Sequence, residues 1–145
     1  MQVLSLSLHD SLSPEELGAI TTADWERNYQ NSPFYAVDLK IAVEDWVQSG
    51  LPLARFQKAL FGWFPRNARL CEFHSINGGG LRDLFEGTRL LLTYLKNHSD
   101  FSEAITYYDN PRVAAMARHI NFDFKQARPC EGAQRTFSTT FYLKD

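Results

Sequence analysis

The sequence predicts an α/β domain with a mixed sheet and helices on both faces. Segments with the two-residue period of strands alternate along the chain with segments that have the spacing of amphipathic helices. Hydrophobic residues make up 44% of the 145 residues and aromatic residues 14%, which is typical of a globular protein with a core. Because no linker, repeat or low-complexity stretch interrupts the chain, residues 1–145 are expected to form a single domain.

The first third of the chain predicts a strand, a helix and one or two further strands. Residues 3–8 alternate between apolar and polar, and Ser13 is placed to cap a helix that continues to about residue 29. The stretch 34–49 fits either a strand or a helix, because its apolar residues satisfy both periods. If this stretch is a strand, it forms a hairpin with residues 51–56.

An aromatic cluster follows, and we interpret it as core, with the lining of a pocket as the alternative. Its members are Phe56, Phe61, Trp63 and Phe64. Residues 68–76 then alternate without a clean apolar face, as a strand beside a cleft would. The later elements are a helix at 81–96, a strand at 103–108, a helix at 110–121, a strand from Phe122 and a strand at 136–143.

The segment from Asn110 to Phe122 predicts a short helix with a defined start and end. Asn110 suits the N-cap, and the proline that follows it suits the first helical position. Asn121 stands where a left-handed residue ends a helix, a conformation that Asn tolerates. The segment resembles the last helix of the GNAT acyltransferase superfamily, although Ala117 takes the place of a usual Tyr and Asn121 that of a usual Gly.

The resemblance implies a mainly antiparallel central sheet, a cleft beside the strand that ends near residue 76, and acetyl-CoA or another acyl-CoA as cofactor. In that family an Arg/Gln-x-x-Gly-x-Gly/Ala turn binds the pyrophosphate and opens a helix. Arg82 to Gly87 fits its first and last positions, with the helix from Thr88, and a second glycine-rich turn lies just upstream. The cofactor-binding candidates are Gly78, Gly79, Gly80, Arg82, Gly87, Thr88 and Asn110.

The resemblance also implies that an amine attacks a thioester, with a Glu or a water as base and a Tyr as acid. Glu72 and His74 are two residues apart on one strand, so both point to the same side and either could accept a proton. The alternative is a charge at a sheet edge and a partly buried imidazole. Since Ala117 has no hydroxyl, Tyr108 or its neighbour Tyr107 would supply the acid.

Charge and cysteine spacing exclude several other classes of protein. The net charge is −2 and the basic residues are scattered, which argues against nucleic acid as a partner. Cys71 and Cys130 lack further ligands at metal-binding spacing, so we expect no metal and two reduced thiols. No apolar run approaches the ~20 residues of a membrane span, and the N-terminus lacks the basic start of a signal peptide. A cytoplasmic location is therefore expected.

Two functions stay open at this point. The first is an acyl-CoA-dependent N-acyltransferase. The second follows from a resemblance to small GNAT-like proteins of tailed bacteriophages, which are short and have substituted motifs. It implies a non-catalytic virion (head) assembly protein, with phage structural proteins as partners and the host cytoplasm or the virion as location. A further, shorter resemblance, over Glu72 to His74 and the glycines that follow, is to toxin-activating acyltransferases.

Overall fold

The computed structural model describes residues 53–108, 111–127 and 137–144. The predictions for residues 1–52 and for Asn110 and Cys130 lie outside these ranges. The strands are β1 (Leu53–Phe56), β2 (Ala59–Pro65), β3 (Leu70–Asn77), β4 (Glu103–Tyr108), β5 (Phe124–Ala127) and β6 (Phe137–Tyr142). The helices are α1 (Leu81–His98) and α2 (Pro111–Met116), and a 3-10 helix follows at Ala117–His119.

The described strands form a six-stranded sheet in the order β1-β2-β3-β4-β6-β5. β1 pairs antiparallel with β2, and β6 pairs antiparallel with both β4 and β5, whereas β3 and β4 are parallel. The predicted mixed, mainly antiparallel sheet is therefore confirmed. The predicted strand at 103–108 and helix at 81–96 are also confirmed, the helix extending to His98.

β1 and β2 form a hairpin that the sequence analysis did not predict. Their register runs from Leu53 opposite Gly62 to Phe56 opposite Ala59. The two-residue turn between them places Gln57 at a φ of 55°, in the left-handed region that such turns use. The expected partner of β1, the stretch 34–49, lies outside the described residues.

The aromatic cluster is mainly core, as predicted. Phe56 is 5% exposed, Phe61 0% and Trp63 8%, whereas Phe64 is half-buried.

The chain divides into two compact units. Among the described residues, the first unit contains those up to Gly62 together with Ser75–Gly87, and the second contains Trp63–His74 and those from Thr88 on. In the first unit, α1 packs closely on the β1–β2 hairpin at Gly87. A Cβ added there would lie 2.6 Å from Cε2 and Cζ of Phe61 and 3.2 Å from Cβ of Phe56. Only glycine fits this contact without displacing a buried ring.

In the second unit, side chains on β3, β4 and β6 alternate between two faces. The core face consists of Cys71, Phe73, Ala104, Thr139 and Phe141, each at most 2% exposed. The opposite face, which we call the Glu72 face, consists of Glu72, His74, Ile105 and Tyr107. Only Glu72 among these four is buried, while Tyr107 is 40% exposed. Functional side chains on this part of the sheet are therefore expected on the Glu72 face.

The helix predicted from Asn110 to Asn121 is confirmed over its described part. Its apolar side is buried at Met116, Ala117 and Ile120. It tightens into the 3-10 helix at its end, as helix C-termini often do. Asn121 follows with a φ of 68°, so the left-handed exit predicted from its identity is also confirmed.

The left-handed backbone at Asn121 can be tested by a pair of substitutions. Asn121→Ala should lower the free energy of unfolding by about 1 kcal/mol. Alanine has a Cβ, which disfavours positive φ, and it lacks the polar side chain with which asparagine can form a local hydrogen bond. Asn121→Gly should stay within about 0.5 kcal/mol of the wild type, because glycine adopts positive φ freely. Urea denaturation of both variants measures the difference. Equal stabilities for the two variants would contradict the assignment.

The close contact at Gly87 can be tested in the same way. Gly87→Ala should lower the free energy of unfolding by about 1–3 kcal/mol, since the new Cβ overlaps the fully buried Phe61 ring. Phe61→Leu should leave room for that Cβ. The double variant should therefore lose less stability than the sum of the two single variants, a coupling that a double-mutant cycle measures. Strict additivity would show that the contact is not tight.

Candidate functional site

The parallel pairing between β3 and β4 is short. It consists of Leu70 with Glu103, Cys71 with Ala104, and Glu72 with Ile105. Within the described residues no later pair joins the two strands, although β3 continues to Asn77 and β4 to Tyr108. The ladder therefore ends at Glu72, as it must if a cleft begins there.

Glu72 is a charged residue of which only 8% is exposed. One carboxylate oxygen, Oε1, accepts a hydrogen bond from Arg66 Nη1, and the other, Oε2, lies 2.6 Å from His74 Nε2. Burial alone would raise the pKa of Glu72, but the hydrogen bonds from His74 and Arg66 outweigh it and hold the pKa below its ordinary value. Glu72 is therefore ionised at neutral pH, and both of its oxygens have partners.

Arg66 links Glu72 to a tyrosine on the neighbouring strand. The pKa of Arg66 is raised first by its hydrogen bond to Glu72 and next by its hydrogen bond to Tyr107. The turn after β2 fixes the position of Arg66: its N–H donates to the Leu70 carbonyl at 2.8 Å, and Asn67 Oδ1 accepts the Leu70 N–H at 2.9 Å. A local turn thus holds the guanidinium beside the carboxylate.

His74 lies on the Glu72 face, as predicted, with 35% of its side chain exposed. Its ring stacks on Phe64 at a centroid distance of 6.1 Å and an interplanar angle of 16°. In the neutral ring, a proton on Nε2 donated to Glu72 leaves Nδ1 as the basic nitrogen. Glu72 therefore selects the tautomer of His74.

Tyr108, the predicted acid, does not share this face. Its hydroxyl is hydrogen-bonded to Thr139 Oγ1, and its ring stacks on Phe137 at 6.1 Å. Gln126 Nε2 lies 3.4 Å from the same hydroxyl and donates to the Ala114 carbonyl at 2.8 Å. The structure thus brings Glu72 and His74 together and places Tyr108 in a separate network. Tyr107, the alternative, is the tyrosine on the Glu72 face.

The glycine-rich turn lies in the first unit, between β3 and α1, and Asn77 closes it. Asn77 Nδ2 donates to the Gly80 carbonyl at 3.0 Å, and Asn77 Oδ1 accepts the Gly79 N–H at 3.0 Å. The Gly78 N–H donates to the Lys58 carbonyl at 2.9 Å. The amides of Gly78 and Gly79 are therefore already engaged within the protein.

The amides left for an anion are those at the start of α1. Gly80, Leu81 and Arg82 precede the first complete helical turn, so their N–H groups have no intrahelical acceptor, and all three residues are exposed. A Cβ placed on Gly80 would meet no atom within 4 Å, so this end of the turn is open. Of the predicted cofactor-binding residues, Gly80 and Arg82 are thus placed where an anion could reach.

The expectation that Arg82 to Gly87 forms a turn before a helix at Thr88 is wrong, because α1 already begins at Leu81. Gly87 is buried against Phe61, and Thr88 is 6% exposed. Phe85, which stands where the family has its first glycine, is a helical residue here and requires no special backbone. The cofactor roles of Gly87 and Thr88 stay predictions, although packing alone accounts for the glycine.

Sequence reasoning did not find Arg66, and it left Tyr107 open as the alternative to Tyr108. Arg66 follows β2 in a turn, and only the pairing of β2 with β3 brings it to Glu72. The register of β4 against β3 decides which of Tyr107 and Tyr108 lies on the side of Glu72, and the sequence alone does not show that register.

Burial raises the pKa of the Cys71 thiol to about 11, so Cys71 is protonated and unreactive at neutral pH. In the part of the chain that the structure describes, no group of three or more His, Cys, Asp or Glu could hold a metal ion. No helix in the same part is long and apolar enough to span a membrane.

No protein-family model matches this chain, and no curated protein matches it. Solved structures do. The AHL synthase LasI aligns with a TM-score of 0.62 at 13% identity, covering 99% of this chain and 90% of that chain. A chimera of the spermidine N-acetyltransferase SpeG from Vibrio cholerae and hSSAT aligns with a TM-score of 0.61 at 13% identity, covering 97% of this chain and 94% of that chain.

The ribosomal-protein α-N-acetyltransferase RimL, solved in complex with coenzyme A, aligns with a TM-score of 0.59 at 12% identity, covering 95% of this chain and 90% of that chain. At such low identities the likeness shows the fold alone. Together with the six-stranded mixed sheet and its parallel β3–β4 pair, it establishes that this chain has the GNAT fold.

Proposed function

We propose that this protein is an acyl-CoA-dependent N-acyltransferase. The observation that carries the proposal is the ionised Glu72 with its partner His74 at the point where the β3–β4 ladder ends. Proteins of the same fold that transfer acetyl groups to amines, including one solved with coenzyme A, support the class of reaction. Fold alone does not fix function, so the proposal rests on these side chains.

The pyrophosphate of the acyl-CoA would bind at the start of α1. The N–H groups of Gly80, Leu81 and Arg82 point away from the helix, and the helix dipole adds partial positive charge. The exposed Arg82 side chain supplies a further cation at this end. The engaged amides of Gly78 and Gly79 shape the turn and do not bind.

The thioester supplies the acyl group, and side chains of the Glu72 face handle the protons. His74 accepts the proton that the attacking amine loses as the carbon–nitrogen bond forms and the carbon–sulfur bond breaks. Glu72 stays ionised, holds the His74 ring and stabilises the imidazolium. The Tyr107 hydroxyl, held by Arg66, gives its proton to the leaving thiolate and recovers it from His74 through solvent.

A second candidate function is the non-catalytic one, in which the scaffold acts through contacts with phage structural proteins. Ala117 supports it: the residue is 3% exposed and has no hydroxyl where the GNAT resemblance expects a tyrosine. Under this candidate, acyl-CoA would not bind, and the exposed tyrosines Tyr107 and Tyr142 would belong to a protein interface.

The acyltransferase proposal predicts both binding and turnover. Millimolar acetyl-CoA should raise the thermal unfolding midpoint, because the ligand binds only the folded state. Release of free thiol in the presence of polyamine or peptide acceptors measures transfer. His74→Gln should slow it by roughly 10²–10⁴-fold. Tyr107→Phe should also slow it, whereas Tyr108→Phe, the matched control on the other face, should not.

The absence of any thermal shift with acetyl-CoA would reject the acyltransferase and favour the non-catalytic candidate. Binding without any thiol release across a broad acceptor set would leave a CoA-binding protein without transferase activity, and would equally reject the assigned roles.

The ionisation of Glu72 at neutral pH predicts that the stability of the protein depends on pH. Its pKa is lowered in the folded state, so the stabilisation is complete above the unfolded pKa of about 4.3 and is lost as the pH falls through the lower, folded pKa. Glu72→Gln should therefore lower the free energy of unfolding by roughly 1–3 kcal/mol at pH 6.

The deficit of Glu72→Gln should shrink as the pH falls below the unfolded pKa and through the lower, folded pKa, because the wild-type carboxyl becomes protonated there. Urea denaturation across this range measures the effect. Glu103→Gln, which removes a carboxylate from the next strand without touching Arg66 or His74, is the control. A deficit that does not change with pH would show that the pairing is not ionic.

A further inference from the structure

Asp83, a carboxylate that the proposed chemistry does not use, lies against the glycine-rich turn. A Cβ added to Gly79 would overlap Asp83 Oδ2 and would lie 3.0 Å from its Cγ and 3.3 Å from its Cβ. The carboxylate therefore covers the Cα of Gly79, and Gly79 is buried beneath it. A turn of three glycines would otherwise leave this surface bare.

The charge of Asp83 has no partner in the described part of the chain. Its carboxylate accepts no hydrogen bond there and forms no ion pair there, although it is half-buried. Its backbone N–H is satisfied by the Gly80 carbonyl at 3.1 Å. What favours the carboxylate in this place is the partial positive charge at the start of α1, the same field that would attract a phosphate.

We infer that Asp83 is an intramolecular competitor for the anion site at the turn and limits how tightly that site holds a phosphate-bearing ligand. The inference rests on the proposed function, because that function places a pyrophosphate on the amides of Gly80 and its two successors. A ligand phosphate and the Asp83 carboxylate use the same helix field. Asp83 must therefore turn away, or remain as a like charge beside the ligand.

Asp83 has two separable effects on a ligand at this site. As a charge, it repels a phosphate a few ångströms away, and neutralising it should tighten binding by about fivefold or more. As a bulky group, it covers the Cα of Gly79, and removing it should clear that surface as well. Asp83→Asn tests the first effect at constant size, and Asp83→Ala tests both.

The test is calorimetric titration of the full chain with inorganic pyrophosphate and, separately, with CoA. Asp83→Asn should lower the dissociation constant for pyrophosphate by about fivefold or more at ~10 mM ionic strength. Asp83→Ala should lower it at least as far. Asp100→Asn, which removes the same charge just beyond the other end of α1, should leave the constant at the wild-type value.

The difference in the pyrophosphate dissociation constant between wild type and Asp83→Asn should become smaller at ~0.15 M salt, where surface charges are screened more strongly. Thermal unfolding of each variant confirms that it is folded. Equal dissociation constants for wild type, Asp83→Asn and Asp83→Ala would overturn the inference, and so would an equal gain in Asp100→Asn.

The two ligands separate this inference from the proposed function. If the Asp83 variants gain pyrophosphate binding but CoA binds to none of the proteins, the inference holds and the acyltransferase proposal fails. If CoA binds wild type and both Asp83 variants equally, the proposal survives and the inference is overturned. If neither ligand binds any of the proteins, both are rejected.

Discussion

The register of β4 against β3 is the constraint on which the candidate site depends. Neighbouring residues in a sheet point to the same side, and successive residues of a strand point to opposite sides. Because Ile105 lies opposite Glu72, Tyr107 falls on the Glu72 face and Tyr108 falls on the other. A shift of one residue would exchange the two tyrosines and remove Ile105 and Tyr107 from the side of the sheet that carries Glu72. The fully buried core face opposes such a shift.

The pairing of Glu72 also decides which group can act as a base. A carboxylate with hydrogen bonds on both oxygens and a lowered pKa is a weak proton acceptor, so Glu72 suits a positioning role better than a basic one. Its ionisation in a nearly buried place is tolerable only because Arg66 and His74 compensate it together. The proposed reaction therefore assigns the basic function to His74, whose side chain is 35% exposed.

Capping residues and apolar–polar alternation, which are properties of adjacent residues, predicted some elements correctly from the sequence. The helix exit at Asn121 and the strand at 103–108 are examples. The β1–β2 hairpin was missed because its turn, Gln57 and Lys58, contains neither Gly nor Asn. The partners of Glu72 and the packing of Gly87 depend on strand pairing and helix docking, which a single sequence does not reveal.

The proposed anion site at the start of α1 does not depend on the glycine turn that the GNAT resemblance implies. The helix dipole and the first free amides come from the backbone, so they follow the start of the helix wherever it falls. Here α1 starts at Leu81, six residues before Gly87, which leaves Gly87 free to serve packing. Side chains can modulate what the backbone offers, and our inference assigns this effect to the Asp83 carboxylate, which lies against the glycine-rich turn beside the same amides.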